Sequence, residues 1–170
     1  MKRIACLFFV AAILTIGQGL AAAHGGGDLI ARSVEVGPYL ASIWVNPPDP
    51  RARETIHFTV GLAAADDDSP VLDADILVTM RYPENGEAAA TAPATTEQSV
   101  NKLFYESDIE VPTEGEYDVQ FQISGNDGSG TVDLLLEVKP SSQVNWMVLG
   151  LVGLGLVLVL GWWQSRRVRA

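Results

Sequence analysis

The sequence predicts an all-β domain, an antiparallel β-sandwich, followed by a C-terminal transmembrane helix. Three observations predict it. About seven short strand-like runs, most of them alternating apolar with polar residues, follow one another between 34 and 138, separated by Gly, Pro, Asn and Asp turns and with no helical period between them. The segment 144–163, VNWMVLGLVGLGLVLVLGWW, is uncharged and has the roughly 20 residues that a helix needs to cross a bilayer. The only cysteine, Cys6, lies near the amino terminus, so no disulfide can brace the strands and their stability must come from packing.

Taken in order, the chain opens with Lys2 and Arg3, an apolar run from Ile4 to Ile16, and Ala21-Ala22-Ala23. This is the pattern of a secretory signal peptide over 1–23, cut so that the mature chain begins at His24. His24-Gly25-Gly26-Gly27 is flexible by composition, and packing is expected to start near Ala31. Val34-Glu35-Val36 reads as a short strand broken by Gly37-Pro38. In the next one Tyr39, Ala41, Ile43 and Val45 alternate with Leu40, Ser42 and Trp44, both faces being largely apolar, so this strand should be central or partly covered.

Asn46-Pro47-Pro48-Asp49-Pro50 must be a loop, because proline has no donor for a ladder. Across 54–60, Ile56, Phe58 and Val60 take one face and Thr55, His57 and Thr59 the other, which points His57 away from the core. Asp66-Asp67-Asp68 lacks the glycine and distal glutamate of a calcium loop and reads as a turn before Ser69-Pro70. A strand is expected over 71–82, with Ile76, Val78 and Met80 on a shared face, ended by the hairpin signal Pro83-Glu84-Asn85-Gly86. The small residues of 88–99 read as an edge strand or loop.

Strand character resumes over 103–111, and Pro112-Thr113-Glu114-Gly115 turns the chain. Tyr117, Val119, Phe121 and Ile123 then alternate with Asp118, Gln120 and Gln122, giving one buried and one wet face. Gly125 to Gly130 reads as a tight turn before Val132, Leu134, Leu136 and Val138. Tyr117, just after a turn, stands where a tyrosine corner would, so the sandwich is read as immunoglobulin-like in architecture, without the cysteine pair of antibody domains.

The expected organisation is therefore a signal peptide at 1–23, an extracytoplasmic sandwich at 24–139, a linker at 140–143, a span at 144–163 and a cytoplasmic tail at 164–170. Trp146, Trp162 and Trp163 suit the two headgroup boundaries, and Arg166, Arg167 and Arg169 keep the tail inside a bacterial cytoplasmic membrane. A buried core helix explains 144–163 poorly, since Gly150, Gly153, Gly155 and Gly161 would each weaken it by about 1 kcal/mol. The short linker should hold the domain close above the bilayer.

Between 24 and 143 all 21 acidic residues face only six cations, Arg32, Arg51, Arg53, Arg81, Lys102 and Lys139, a formal charge of −15. A polyanion would be repelled, so nucleic acid is excluded as a partner by charge. No Walker A loop, GxGxxG, GxSxG, HExxH or CxxC occurs, and no spacing supports a Ser-His-Asp site, so the chain is not expected to be an enzyme. The leading expectation is a membrane-tethered binding or accessory module acting on a neighbouring membrane protein or complex.

The alternative centres on the two histidines. The free amine and imidazole of an N-terminal His24 can together chelate Cu(II), and His57, facing outward, can add a third nitrogen if the glycines fold His24 back toward it. Met80 is a soft ligand whose parity places it in the core. On this reading His24 and His57 are the metal-binding residues of a copper carrier or assembly factor. The plainer reading has His24 as a residue that happens to follow a cleavage site and His57 as a solvated strand position. A copper oxidase of the histidine-brace type would need an axial group and a substrate face for which the sequence offers no candidate.

His24 after the signal, Val36-Gly37-Pro38-Tyr39-Leu40, the Pro47-Pro48 loop, Pro70-Val71-Leu72-Asp73-Ala74-Asp75-Ile76 and Gly115-Glu116-Tyr117-Asp118-Val119 together resemble the YtkA-like domain, a bacterial extracytoplasmic sandwich related in shape to the FixH and CopC families. The resemblance covers most of 24–139 and rests mainly on turn glycines and prolines. It implies an immunoglobulin-like fold outside the cytoplasmic membrane and, through the CopC branch, copper carriage by a mature N-terminal histidine. Only His24 keeps its place in that pattern, with His57 a counterpart; the anchor follows the domain here, whereas in FixH it precedes it.

Overall fold

The computed structural model describes residues 27–97, 99–141, 150 and 153–155. The chain divides into two units, Met1–Pro140 and Ser141–Ala170. The first contains eight strands: β1 (Asp28–Val36), β2 (Tyr39–Asn46), β3 (Ile56–Ala64), β4 (Asp75–Arg81), β5 (Ala88–Ala94), β6 (Tyr105–Ile109), β7 (Gly115–Gly125) and β8 (Gly128–Val138). They form two four-stranded antiparallel sheets, β1-β2-β3-β6 and β5-β4-β7-β8, the architecture of a β-sandwich. The chain changes sheet between β3 and β4, between β5 and β6, and between β6 and β7.

Alternation decides which side chains fill the core. Tyr39, Ala41, Ile43 and Val45 of β2, Ile56, Phe58 and Val60 of β3, Ile76, Val78 and Met80 of β4, and Tyr117, Val119, Phe121 and Ile123 of β7 are all buried, one residue in two along each strand. Phe58 and Phe121 meet edge to face, ring centroids 5.4 Å apart, and so join the two sheets at their centre. Met80 is wholly buried, the place its parity gives it. The central position expected of 39–45 is observed, β2 lying between β1 and β3.

Tyr117 makes the bond of a tyrosine corner: its hydroxyl donates to the Thr113 carbonyl at 2.9 Å, four residues upstream. Burial pushes its phenol above the ordinary 10.0, and the hydrogen bond to the Thr113 side chain opposes that shift. The Asp66–Asp68 run is a turn, with Asp67 Oδ1 accepting the Ser69 backbone N–H at 2.9 Å. Hydrogen bonds from Ser69 hold the Asp67 carboxyl below its usual range. The small residues of 88–94 form an edge strand, β5, and an edge is where Pro93 can sit without breaking a ladder.

Three boundaries differ from the sequence reading. β1 begins at Asp28, six residues ahead of the expected Val34, while the first buried side chain is Ala31, where packing was expected to start. Residues 71–74 are not in β4, because one side chain holds them: the Tyr105 hydroxyl accepts from Ala74 N–H and donates to the Val71 carbonyl, each at 3.0 Å. The turn expected over 125–130 is confined to Asn126 and Asp127, with Gly125 paired to Gly128 and β8 already running through Gly130. A Cβ on Gly130 would fall 2.6 Å from a methyl of Val36, so the residue that looks like a turn glycine is a packing glycine.

The strand that ends the sandwich is fastened where it leaves. Ala52 N–H donates to the Lys139 carbonyl at 2.9 Å and Lys139 N–H to that of Pro50 at 2.8 Å. Arg51 reaches the Pro140 carbonyl at 3.0 Å, and Lys139 pairs with Asp49 at 2.6 Å. Among the described residues no helix is long and apolar enough to cross a membrane. The expected span at 144–163 lies outside them except for Gly150, Gly153, Leu154 and Gly155, which are helical; the expected signal peptide and tail lie outside them entirely.

Candidate functional site

The outward positions of β2, β3 and β6 line up in rows. Asn46, His57 and Asp108 stand side by side across the three strands, and Trp44, Thr59 and Glu106 form the adjoining row. Phe104, one residue before β6, lies over Gly61 of β3 and meets Trp44 edge to face at 5.7 Å. Thr59 is buried although it points away from the core, whereas Trp44, His57, Glu106 and Phe104 are half-buried. This face therefore carries side chains that are held in place without belonging to the hydrophobic interior.

His57 is oriented from both sides. Its Nδ1 lies 2.7 Å from Asp108 Oδ1. An ionised carboxylate only accepts, so in the neutral ring Nδ1 carries the proton and Nε2 keeps its lone pair. Nε2 faces Glu106 Oε2 at 4.0 Å. The other oxygen of Glu106 is fixed by Ser99, whose buried hydroxyl lies 2.7 Å from the Asn101 carbonyl and 2.9 Å from Glu106 Oε1 and shares its one proton between them. A ring nitrogen and a carboxylate oxygen, both acceptors, thus face one another across a gap that a bound cation or a second ring proton would satisfy. The Asp108 contact is the carboxylate–histidine pairing that orients metal-bound imidazoles.

The sequence placed His57 outward, and so it stands, but gave no sign of its companions. Glu106 and Asp108 alternate with the buried Tyr105, Ser107 and Ile109, so their face was readable; that they meet His57 was not. His24 lies outside the described residues. Among the described residues no group of three or more His, Cys, Asp or Glu side chains could hold a metal ion.

One further feature of the backbone bears on the site. Asp28 pairs with Val45 in the β1–β2 ladder. Gly27 crowds the Val45 carbonyl so closely that a Cβ would fall 2.5 Å from it. The chain thus arrives at β1 beside the strand end that carries Asn46, the first member of the Asn46-His57-Asp108 row. The same end of the sandwich holds Pro50, Ala52 and the departing Lys139. Compared with known proteins, the chain matches no family model and no curated protein.

Proposed function

We propose that the chain is a single-pass, membrane-tethered binding module of the YtkA-like kind, with an immunoglobulin-like sandwich outside the bacterial cytoplasmic membrane that engages a neighbouring membrane protein without catalysis. The observation that carries this reading is the outer face of the β1-β2-β3-β6 sheet. Trp44, Phe104, His57 and Glu106 are fixed there by contacts with one another and with Ser99 and Asp108, yet add nothing to the core between the sheets. Fixed, half-exposed aromatic and charged side chains are what a recognition surface uses. The uncharged run and the arginines after it support the tether. The test is native electrophoresis of the full-length chain extracted in mild detergent from cells that make it. It should migrate in an assembly with another membrane protein, and Trp44→Ala should release it. Migration as the free chain under all conditions would overturn the reading.

A second reading, a Cu(II) carrier or assembly factor, is favoured by the place where β1 begins. Gly27 immediately precedes β1, and His57 lies on β3, two strands away, about 10 Å by the usual inter-strand spacing. The three residues from His24 to Gly27 span up to about 10 Å when extended. A mature N-terminal His24 could therefore bring its amine and imidazole to His57 Nε2, with Glu106 as an oxygen donor and Asp108 fixing the ring. Cu(II) suits nitrogen ligands of this kind. Titration of the protein beginning at His24 against the same protein with one extra residue before it tests this reading. Uptake of one Cu(II) should be lost in the extended form and weakened in His57→Ala; equal uptake by both forms removes its basis.

A further inference from the structure

A groove of about 290 Å³ runs along the outer face of the β1-β2-β3-β6 sheet, away from His57 and toward the β3–β4 loop. One end is walled by Trp44 and Phe104 and the other by Asp68, with Leu40, Gly61 and Leu103 between them. Gly61 makes the floor: a Cβ there would fall 3.1 Å from the Phe104 ring and 3.5 Å from that of Trp44, so any other residue would lift the aromatic wall. Leu103 at the rim is 50% exposed. Of the described residues that line the groove Asp68 alone is charged, and no described residue gives its side chain a hydrogen bond or ion pair. The domain around it is formally −15.

An apolar trough with an aromatic wall and one carboxylate that no described residue pairs complements an aliphatic stem that ends in a positive charge. The stem is desolvated along the floor, and the cation is placed for Asp68 within an acidic field that draws it in. A second copy of this chain is a poor occupant, because two domains of −15 repel. We propose that the groove docks a segment of a partner protein in which a lysine or arginine stands next to an aliphatic residue. This rests on the binding-module reading above and names the chemistry of its partner.

The test places a photoreactive amino acid at Leu103 of the full-length chain in the cells that make it, with a second site at Leu135 on the opposite sheet, 66% exposed, as the control. Trapped peptides are sequenced by mass spectrometry. Leu103 should trap a segment containing Lys or Arg beside an aliphatic residue, and Asp68→Asn should lower the yield about two- to fivefold, the range of an exposed ion pair. Asparagine tolerates the positive φ of 59° at this position, so that variant keeps the loop. Trapping from Leu135 alone, a neutral or acidic segment, a second copy of the chain, a yield indifferent to Asp68→Asn, or no trapping at all would each overturn the proposal. If the native assembly persists in any of these cases, the groove is wrong and the binding module stands.

Discussion

Phe121→Ala is the most informative single perturbation of the sandwich. Phe121 is wholly buried on β7, flanked in the ladders by Val78 and Val132, and its ring meets Phe58 of the other sheet at 5.4 Å and 84°. Truncating a buried phenylalanine costs about 3–5 kcal/mol, of which about 0.5–1.5 kcal/mol belongs to the aromatic pair. Against the roughly 5–15 kcal/mol that holds an ordinary domain folded, this is about a fifth or more. Gln122 points the other way, its exposed side chain donating to Gln120 at 3.1 Å, so Gln122→Ala should change stability by about 0.5 kcal/mol or less. Urea unfolding followed by far-ultraviolet circular dichroism reads both, and Phe58→Leu alone and combined with Phe121→Ala closes a double-mutant cycle for the pair. Equal midpoints for Phe121→Ala and Gln122→Ala, or strict additivity in the cycle, would refute this account of how the two sheets are joined.

The tyrosines set the alkaline limit. Burial raises the phenols of Tyr105 and Tyr117 above 10.0, so the stability they contribute is fully present below that pH and is lost as pH rises through their higher folded values. Melting temperatures should fall steeply above pH 10 in the parent chain and less steeply in Tyr117→Phe, which should also lose about 1–2 kcal/mol at neutral pH with its bond to Thr113; an identical alkaline slope in the two would count against the shift. For the tether, a reporter that works only outside the cytoplasm should be silent when fused after Ala170 and active when fused after Val138. Activity after Ala170 would reverse the proposed topology.

Much of the sandwich was legible because alternation is a local signal. Tyr117 to Ile123 reads correctly from its own seven residues, and the buried parity of Met80 follows from Ile76 and Val78. The misreadings arise where a distant residue overrides the local pattern. Val71 and Leu72 look like the start of a strand, but the Tyr105 hydroxyl, 34 residues from Val71, takes up the backbone groups that a ladder would have used. Gly128-Ser129-Gly130 has the composition of a turn, yet Val36 leaves no room for a side chain at Gly130, and the strand runs through it.

The site shows the same division more sharply. Parity alone sends His57 outward on β3, and parity alone sends Glu106 and Asp108 outward on β6, so each residue's face is written in its own segment. What brings them together is the β3–β6 ladder, which pairs His57 with Asp108 across 51 positions while β4 and β5 are built into the other sheet. No window of sequence contains that pairing, because it depends on the chain crossing between sheets and returning. The β1–β2 register is only partly local: the hairpin at Gly37-Pro38 sets it, but plain counting back would bring Asp28 opposite Pro47, and register shifts between Val34 and Ala31 and between Ala31 and Leu29 move its partner to Val45. The length of β1 therefore decides how near a mature amino terminus can come to His57. Its start at Asp28, earlier than apolar patterning suggested, is what makes the distance from Gly27 to His57 comparable with the reach of three extended residues, as the copper reading requires.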